Sequence, residues 1–143
     1  MTEKVRNGEQ LLAIIIRHDD TMPGVNFLTD DDSAMQVGIL NHPKSKIIQA
    51  HLHVEAERRV RGTQEVLFLR KGKLRVDFYD DDETYLKSRT LAAGDAILLI
   101  AGGHGFEVLE DIDMIEAKTG PYLGDKDKRR FDAAPPKPAR GRR

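Results

Sequence analysis

Residues 65–79 read Glu65-Val66-Leu67-Phe68-Leu69-Arg70-Lys71-Gly72-Lys73-Leu74-Arg75-Val76-Asp77-Phe78-Tyr79. In the second half, Leu74, Val76 and Phe78 fall on one face and Arg75, Asp77 and Tyr79 on the other, the period of a half-buried strand. The first half is apolar on both faces except at Glu65. A strand of that kind is covered twice, and a carboxylate that opens it has a partner or a purpose. Lys71-Gly72 reads as a turn, so two strands are predicted, Glu65–Arg70 and Leu74–Tyr79.

The same period extends outward to Leu11–Arg17, Met35–Asn41, Lys46–His53, Tyr85–Leu91, Ala96–Ile100, Gly105–Leu109 and Asp113–Lys118. Turn-formers separate them, among them Pro23-Gly24, Asp80-Asp81-Asp82 and Ala93-Gly94-Asp95. Short strands at this spacing predict an all-β antiparallel sandwich or small barrel. Only the first dozen residues offer an amphipathic helix. A P-loop, GxGxxG and GxSxG are all absent, which removes the nucleotide-binding and serine-hydrolase signatures.

At 143 residues the chain has the length of one domain. It contains no cysteine, which excludes disulfides, thiolate metal sites and a cysteine nucleophile. The longest apolar run, Leu11–Ile16, ends at Arg17 and is far short of a membrane span. Glu3, Lys4, Arg6 and Glu9 break the order of a signal peptide, so a cytoplasmic location is expected. The net charge of −1 hides an asymmetry: residues 126–143 carry eight Lys/Arg against two Asp, +6, which leaves −7 for residues 1–125. The domain, residues 1–131, is expected to end at Phe131. Residues 132–143 form a basic, Pro-rich segment that cannot bury apolar surface and is expected to be disordered, a solvated terminus rather than a nucleic-acid contact.

Two of the five histidines stand as His51-Leu52-His53. On a strand, residues i and i+2 share a face, so both imidazoles and Gln49 can reach one point. A His-Xaa-His alone is more often two half-exposed polar residues. Here it is followed by Glu65 and by His104, after Gly102-Gly103. Three imidazoles and one carboxylate suit one divalent ion of Fe, Mn, Ni or Zn and leave two octahedral positions open. Open positions distinguish a catalytic site from a structural one.

In the order His51, His53, Glu65, Gly72, Gly94-Asp95, His104, the sequence resembles the cupin superfamily over about residues 45–118. Glu65 to Gly72 keeps the Glu-(X)6-Gly spacing of the first cupin motif, and Gly94, Gly102 and His104 follow the second. There are departures. Eleven residues separate His53 from Glu65 where the family has three or four, so Glu57 competes for the ligand role by spacing. Glu57 has Gln64 where Glu65 has Gly72, which favours Glu65. Ile100 replaces the second motif's proline, His104 arrives one residue early, and Val108 to Asp111 offers no asparagine. The resemblance implies a double-stranded β-helix (cupin, jelly-roll) barrel, usually paired into dimers, with the metal inside. Thr119-Gly120-Pro121-Tyr122 is similar to a segment of small single-domain cupins associated with surface-sugar pathways.

Arg58, Arg59 and Arg61 lie between His53 and Glu65 and are candidate clamps for a substrate carboxylate or phosphate, or else an exposed basic loop. Phe106 and Tyr122 are candidates to line a pocket, with core packing the default expectation for both, and His18 and His42 are expected on the surface. Leu11–Arg17 is strongly apolar, and an unpaired strand of that kind is a liability. A homodimer whose N-terminal strands cover the partner's sheet is therefore expected. The first functional reading is a mononuclear metal-dependent oxygenase or isomerase acting on a small anionic or sugar-related molecule. The second is a non-catalytic metal-dependent binder of sugars or carboxylates.

Overall fold

The computed structural model describes residues 1–133 and contains eight strands, β1 (Glu3–Asn7), β2 (Gln10–Ile16), β3 (Gly24–Phe27), β4 (Gly38–Asn41), β5 (Glu65–Tyr79), β6 (Tyr85–Ala92), β7 (Ala96–Leu99) and β8 (Gly103–Lys118). A single 3-10 turn follows at Gly124–Asp127. Every strand pair is antiparallel. The fold is all-β, as its period-two patterning predicts, and no helix among the described residues is long and apolar enough to cross a membrane.

The first dozen residues form a hairpin, not a helix. Gly8, at φ 57°, reverses the chain so that Glu3 faces Ile15 and Asn7 faces Gln10. β2 then lies between β1 and β7, with Ala13 opposite Leu99 and Ile16 opposite Ala96. Both its edges are thus satisfied within the chain, which removes the reason given above for an N-terminal exchange. β7 is flanked by β2 and by the start of β5. Their apolar runs are covered twice. Ala13, Ile15, Leu67, Ile97 and Leu99 join the main core with Leu74, Val76 and Phe78. Ile14, Val66 and Leu98 point the other way, against Leu28, Met35 and Val37 from the region of the separate β3–β4 pair.

β5 is one strand of 15 residues where two were predicted, and β8 likewise joins Gly105–Leu109 to Asp113–Lys118. The two run antiparallel from Glu65–Lys118 to Tyr79–Gly103, with register shifts between Leu69 and Leu74. Gly72 sits at those shifts with φ 83°, and a Cβ there would stand 2.1 Å from the Asp111 carbonyl oxygen. A left-handed glycine serves a β-bulge as well as a turn, so the chain bends without breaking its ladder.

Leu74, Val76 and Phe78 are buried as the alternation predicts. Asp77 and Tyr79, on the opposite face, are buried as well. Asp77 is held by Arg75 and Ser88, and the Tyr79 ring is covered edge-on by Phe131 at 5.2 Å. The predicted strand Lys46–His53 is absent. Every residue from Pro43 to Gly62 is exposed, and residues 46–60 carry no secondary structure. Period two marks a capacity to pair, but a strand forms only where its backbone finds a neighbour. The tail expected to be disordered falls, from residue 134 on, outside the described residues.

Candidate functional site

Glu65 opens β5 opposite Leu99 of β7 and Lys118 of β8. Its side chain is buried. His104, second residue of β8, lies opposite Phe78 at the far end of β5. Thirteen residues of extended strand span about 43 Å, yet His104 Nε2 lies 3.4 Å from Glu65 Oε2. The β5–β8 ribbon therefore curls back on itself until its ends meet. The short route is through β7: Leu99 faces Glu65, and a turn through Gly102 (φ 71°) delivers His104 five residues later. Gly102 has no room for a side chain, since a Cβ would meet the Tyr79 carbonyl oxygen at 2.6 Å.

The pair lies in a cavity of about 940 Å³ that Thr63, Tyr79, Lys118, Thr119, Tyr122, Leu123 and residues 126–131 also line. The His104 imidazole holds the Glu65 carboxyl below the ordinary carboxylate range, against the upward pull of burial, with Lys128 and Lys118 adding to the effect. Glu65 is therefore a charged, buried carboxylate at neutral pH. Lys126 and Lys128 bring positive charge to the cavity without an ion pair among the described residues, whereas Arg129 is paired with Glu83 and Arg130 with Asp125. The Thr63 hydroxyl donates to Asp127 and ties the C-terminal segment across the opening. Burial pushes the Tyr79 phenol up, so it stays protonated at neutral pH.

Of the four residues proposed to hold a metal, the structure brings Glu65 and His104 together. His51 and His53 form a second pair, their rings 5.4 Å apart and edge-on, on the exposed stretch beyond the cavity. His51 Nδ1 lies 2.9 Å from the Gln49 carbonyl oxygen. Glu57, Arg58, Arg59 and Arg61 share that exposed stretch, and neither they nor Gln49 line the cavity, although Val60 and Gly62 do. Among the described residues, no three His, Asp or Glu side chains of one chain converge on a point that could hold a metal. The donor types fit a mononuclear site; a single chain divides them into two halves.

Tyr122 lines the cavity and is largely exposed, and Phe106 is 41% exposed beside His104, so neither belongs to the core as expected. Sequence reading missed Tyr79 and the lysines. Lys118 is set opposite Glu65 only by the β5–β8 register, which the sequence does not announce. Tyr79 and the C-terminal lysines carry no signal either, because only the folded-back C-terminal segment covers the one and brings the others to the cavity. No known protein family, no characterised protein and no solved structure matches the chain.

Proposed function

We propose that this protein is a metal-dependent cupin, a double-stranded β-helix barrel paired as a homodimer. In this reading one divalent ion of the Fe, Mn, Ni or Zn group is held by His51, His53, Glu65 and His104. The ligand is a small anionic or sugar-related molecule. The observation that carries the reading is the Glu65–His104 pair, 3.4 Å apart in a cavity of about 940 Å³. Burying the Glu65 carboxylate costs desolvation that an ion pair with a solvent-exposed His104 repays only in part, so its place in a cavity speaks for chemistry. The curled antiparallel sheet supports the barrel.

A bound ion supplies Lewis acidity at a ligand oxygen, the common basis of isomerase- and dioxygenase-type chemistry. The ionised Glu65 would offset the ion's charge, and His104 would offer it a ring nitrogen. Tyr79, protonated, can donate a hydrogen bond to a ligand oxygen. Lys118, Lys126 and Lys128 favour an anionic ligand, a role the sequence suggested for Arg58, Arg59 and Arg61.

Metal analysis of protein purified without a chelating tag tests the ligand set. The expected result is about one ion per chain, lost in His51→Ala and His53→Ala and kept in His18→Ala and His42→Ala. Equal behaviour of all four variants overturns the assignment. For the ligand class, a small hydroxycarboxylate should bind metal-loaded protein at least about tenfold more tightly than a neutral sugar, from one charged hydrogen bond. Lys118→Ala/Lys128→Ala should lose that advantage, and Arg58→Ala/Arg59→Ala/Arg61→Ala should keep it. Equal binding of neutral sugar overturns the anionic preference.

A further inference from the structure

The concave face of the sheet is bare on one side. Cross-strand partners share a face, and His104, Phe106 and Val108 of β8 stand opposite Phe78, Val76 and Leu74. Those three are fully buried in the core, so their partners also face inward. Yet Phe106 and Val108 are 41% and 55% exposed, and the outer edge of β8 pairs with no strand among the described residues. A sixteen-residue edge with inward apolar side chains left in water is a place where another strand belongs.

The chain carries a segment with the matching deficiency. Residues 47–61 make no hydrogen bond and no ion pair to the body among the described residues, although Ile47, Ile48, Leu52 and Val54 are all strongly exposed. A solvated linker has no use for four large aliphatic side chains. Left-handed residues bound the segment at both ends, Ser45 at φ 75° and Gly62 at φ 74°. The turn closed by Lys46 N–H donating to the Pro43 carbonyl starts it on its way outward. As a strand, it would place Ile47, Gln49, His51 and His53 on one face and Ile48, Ala50, Leu52 and Val54 on the other.

We propose that this arm is exchanged between two copies of the chain. In the dimer the arm of each protomer pairs with the free edge of the partner's β8, and its histidine face completes the partner's concave surface. His51 and His53 of one protomer thereby join Glu65 and His104 of the other, and each metal site is built from both chains. The metal part of this inference rests on the function proposed above. A second copy is the fitting occupant because it offers the bare edge and the unpartnered arm together. In a two-fold arrangement each deficiency is met by the other's surplus. The single chain leaves both unmet.

Two measurements test it. A His51→Ala/His53→Ala chain and a Glu65→Gln/His104→Ala chain, each full length with a different non-chelating tag, are co-expressed, and the heterodimer carrying both tags is isolated and dialysed against Mn(II) or Zn(II). Each variant alone should be empty, whereas the heterodimer, with one intact composite site per two chains, should regain about half the wild-type metal. Sedimentation velocity of Leu52→Asp/Val54→Asp, which leaves the body's core untouched, should show monomers where the wild type forms dimers. An empty heterodimer beside loaded wild type means that each arm closes on its own chain, and overturns the exchange. So does an arm variant that stays dimeric, or a monomeric wild type. Wild-type protein that takes up no metal overturns instead the metal reading of the preceding section, and sedimentation of the arm variant still decides the exchange.

Discussion

An alanine at Gly72 would force its Cβ to 2.1 Å from the Asp111 carbonyl oxygen, with φ held at 83°. Gly8 also has a positive φ, 57°, but opens onto empty space. Gly8→Ala should therefore cost about 1–2 kcal/mol, the left-handed penalty alone. Gly72→Ala should cost clearly more, about 3 kcal/mol or above, as backbone must also shift. Chemical denaturation of the two variants measures the difference, and equal losses would mean that the β5 bulge relaxes freely. Asp95 is a second residue on which much depends. Its Oδ1 accepts from the His18 amide, and its Oδ2 from the Ala92 amide and the Arg17 guanidinium. Burial pulls this carboxyl upward, but the two amides and Arg17 outweigh it and hold it below the ordinary range. A carboxylate depressed in the folded state contributes stability that is present above its ordinary value, 3.8, and is lost as pH falls through the folded one. Asp95→Asn should thus cost about 1.5–3 kcal/mol at pH 7, and the gap from wild type should close as pH drops below about 4. Unfolding curves across that range check it; a gap independent of pH would assign the loss to packing.

At the scale of elements, β2 and β7 are distinguished by burial on both faces. Leu98 is 1% exposed and belongs to the smaller cluster beneath Leu28, Met35 and Val37, while Phe68, two residues into the same face of β5, is 44% exposed. Leu98→Ala should lose about 2–5 kcal/mol through transfer and cavity terms. Phe68→Ala should lose under about 1 kcal/mol, as expected of a side chain already half in water. Urea denaturation distinguishes the two. A small loss at Leu98 would mean that the β3–β4 region does not seal that face. One predicted strand finds no neighbour among the described residues of a single chain. Lys46–His53 alternates apolar and polar residues from Ile48 on, as Leu74–Tyr79 does, and only the second has strands beside it, β6 and β8.

For the whole molecule, the C-terminal segment matters more than its composition suggests. Phe131 seals Tyr79, Thr63 holds Asp127, and Lys126 and Lys128 lie in the cavity wall. Removing residues 132–143 should leave melting temperature and anion binding unchanged. Removing residues 120–143 should lower the melting temperature by several degrees, consistent with a loss of about 1–2 kcal/mol, and should weaken hydroxycarboxylate binding. Thermal melts and calorimetric titration of both truncations read this out; anion binding that survives the longer cut would move the ligand away from the lysines.

Period-two patterning, turn residues and the absence of helical spacing determined an all-β, antiparallel fold, because strand faces are set by alternation along the chain itself. The inward set Leu74, Val76 and Phe78 was legible for the same reason, as was the need of Glu65, a lone carboxylate in an apolar run, for a partner, which is His104. The sequence shows which residue types could form a site, and not which of them meet. Whether Gly72 is a turn or a bulge, and whether His104 reaches Glu65 across a ribbon some tens of ångströms long, depends on the curl of the whole sheet. That curl is a sum of many local twists, carried by no residue alone. Tertiary structure also decided that Tyr79 is covered, that lysines rather than Arg58, Arg59 and Arg61 line the cavity, and that His51 and His53 stand apart from Glu65. Each of these is a long-range packing outcome, and a backbone edge has no sequence label for the strand that will pair with it.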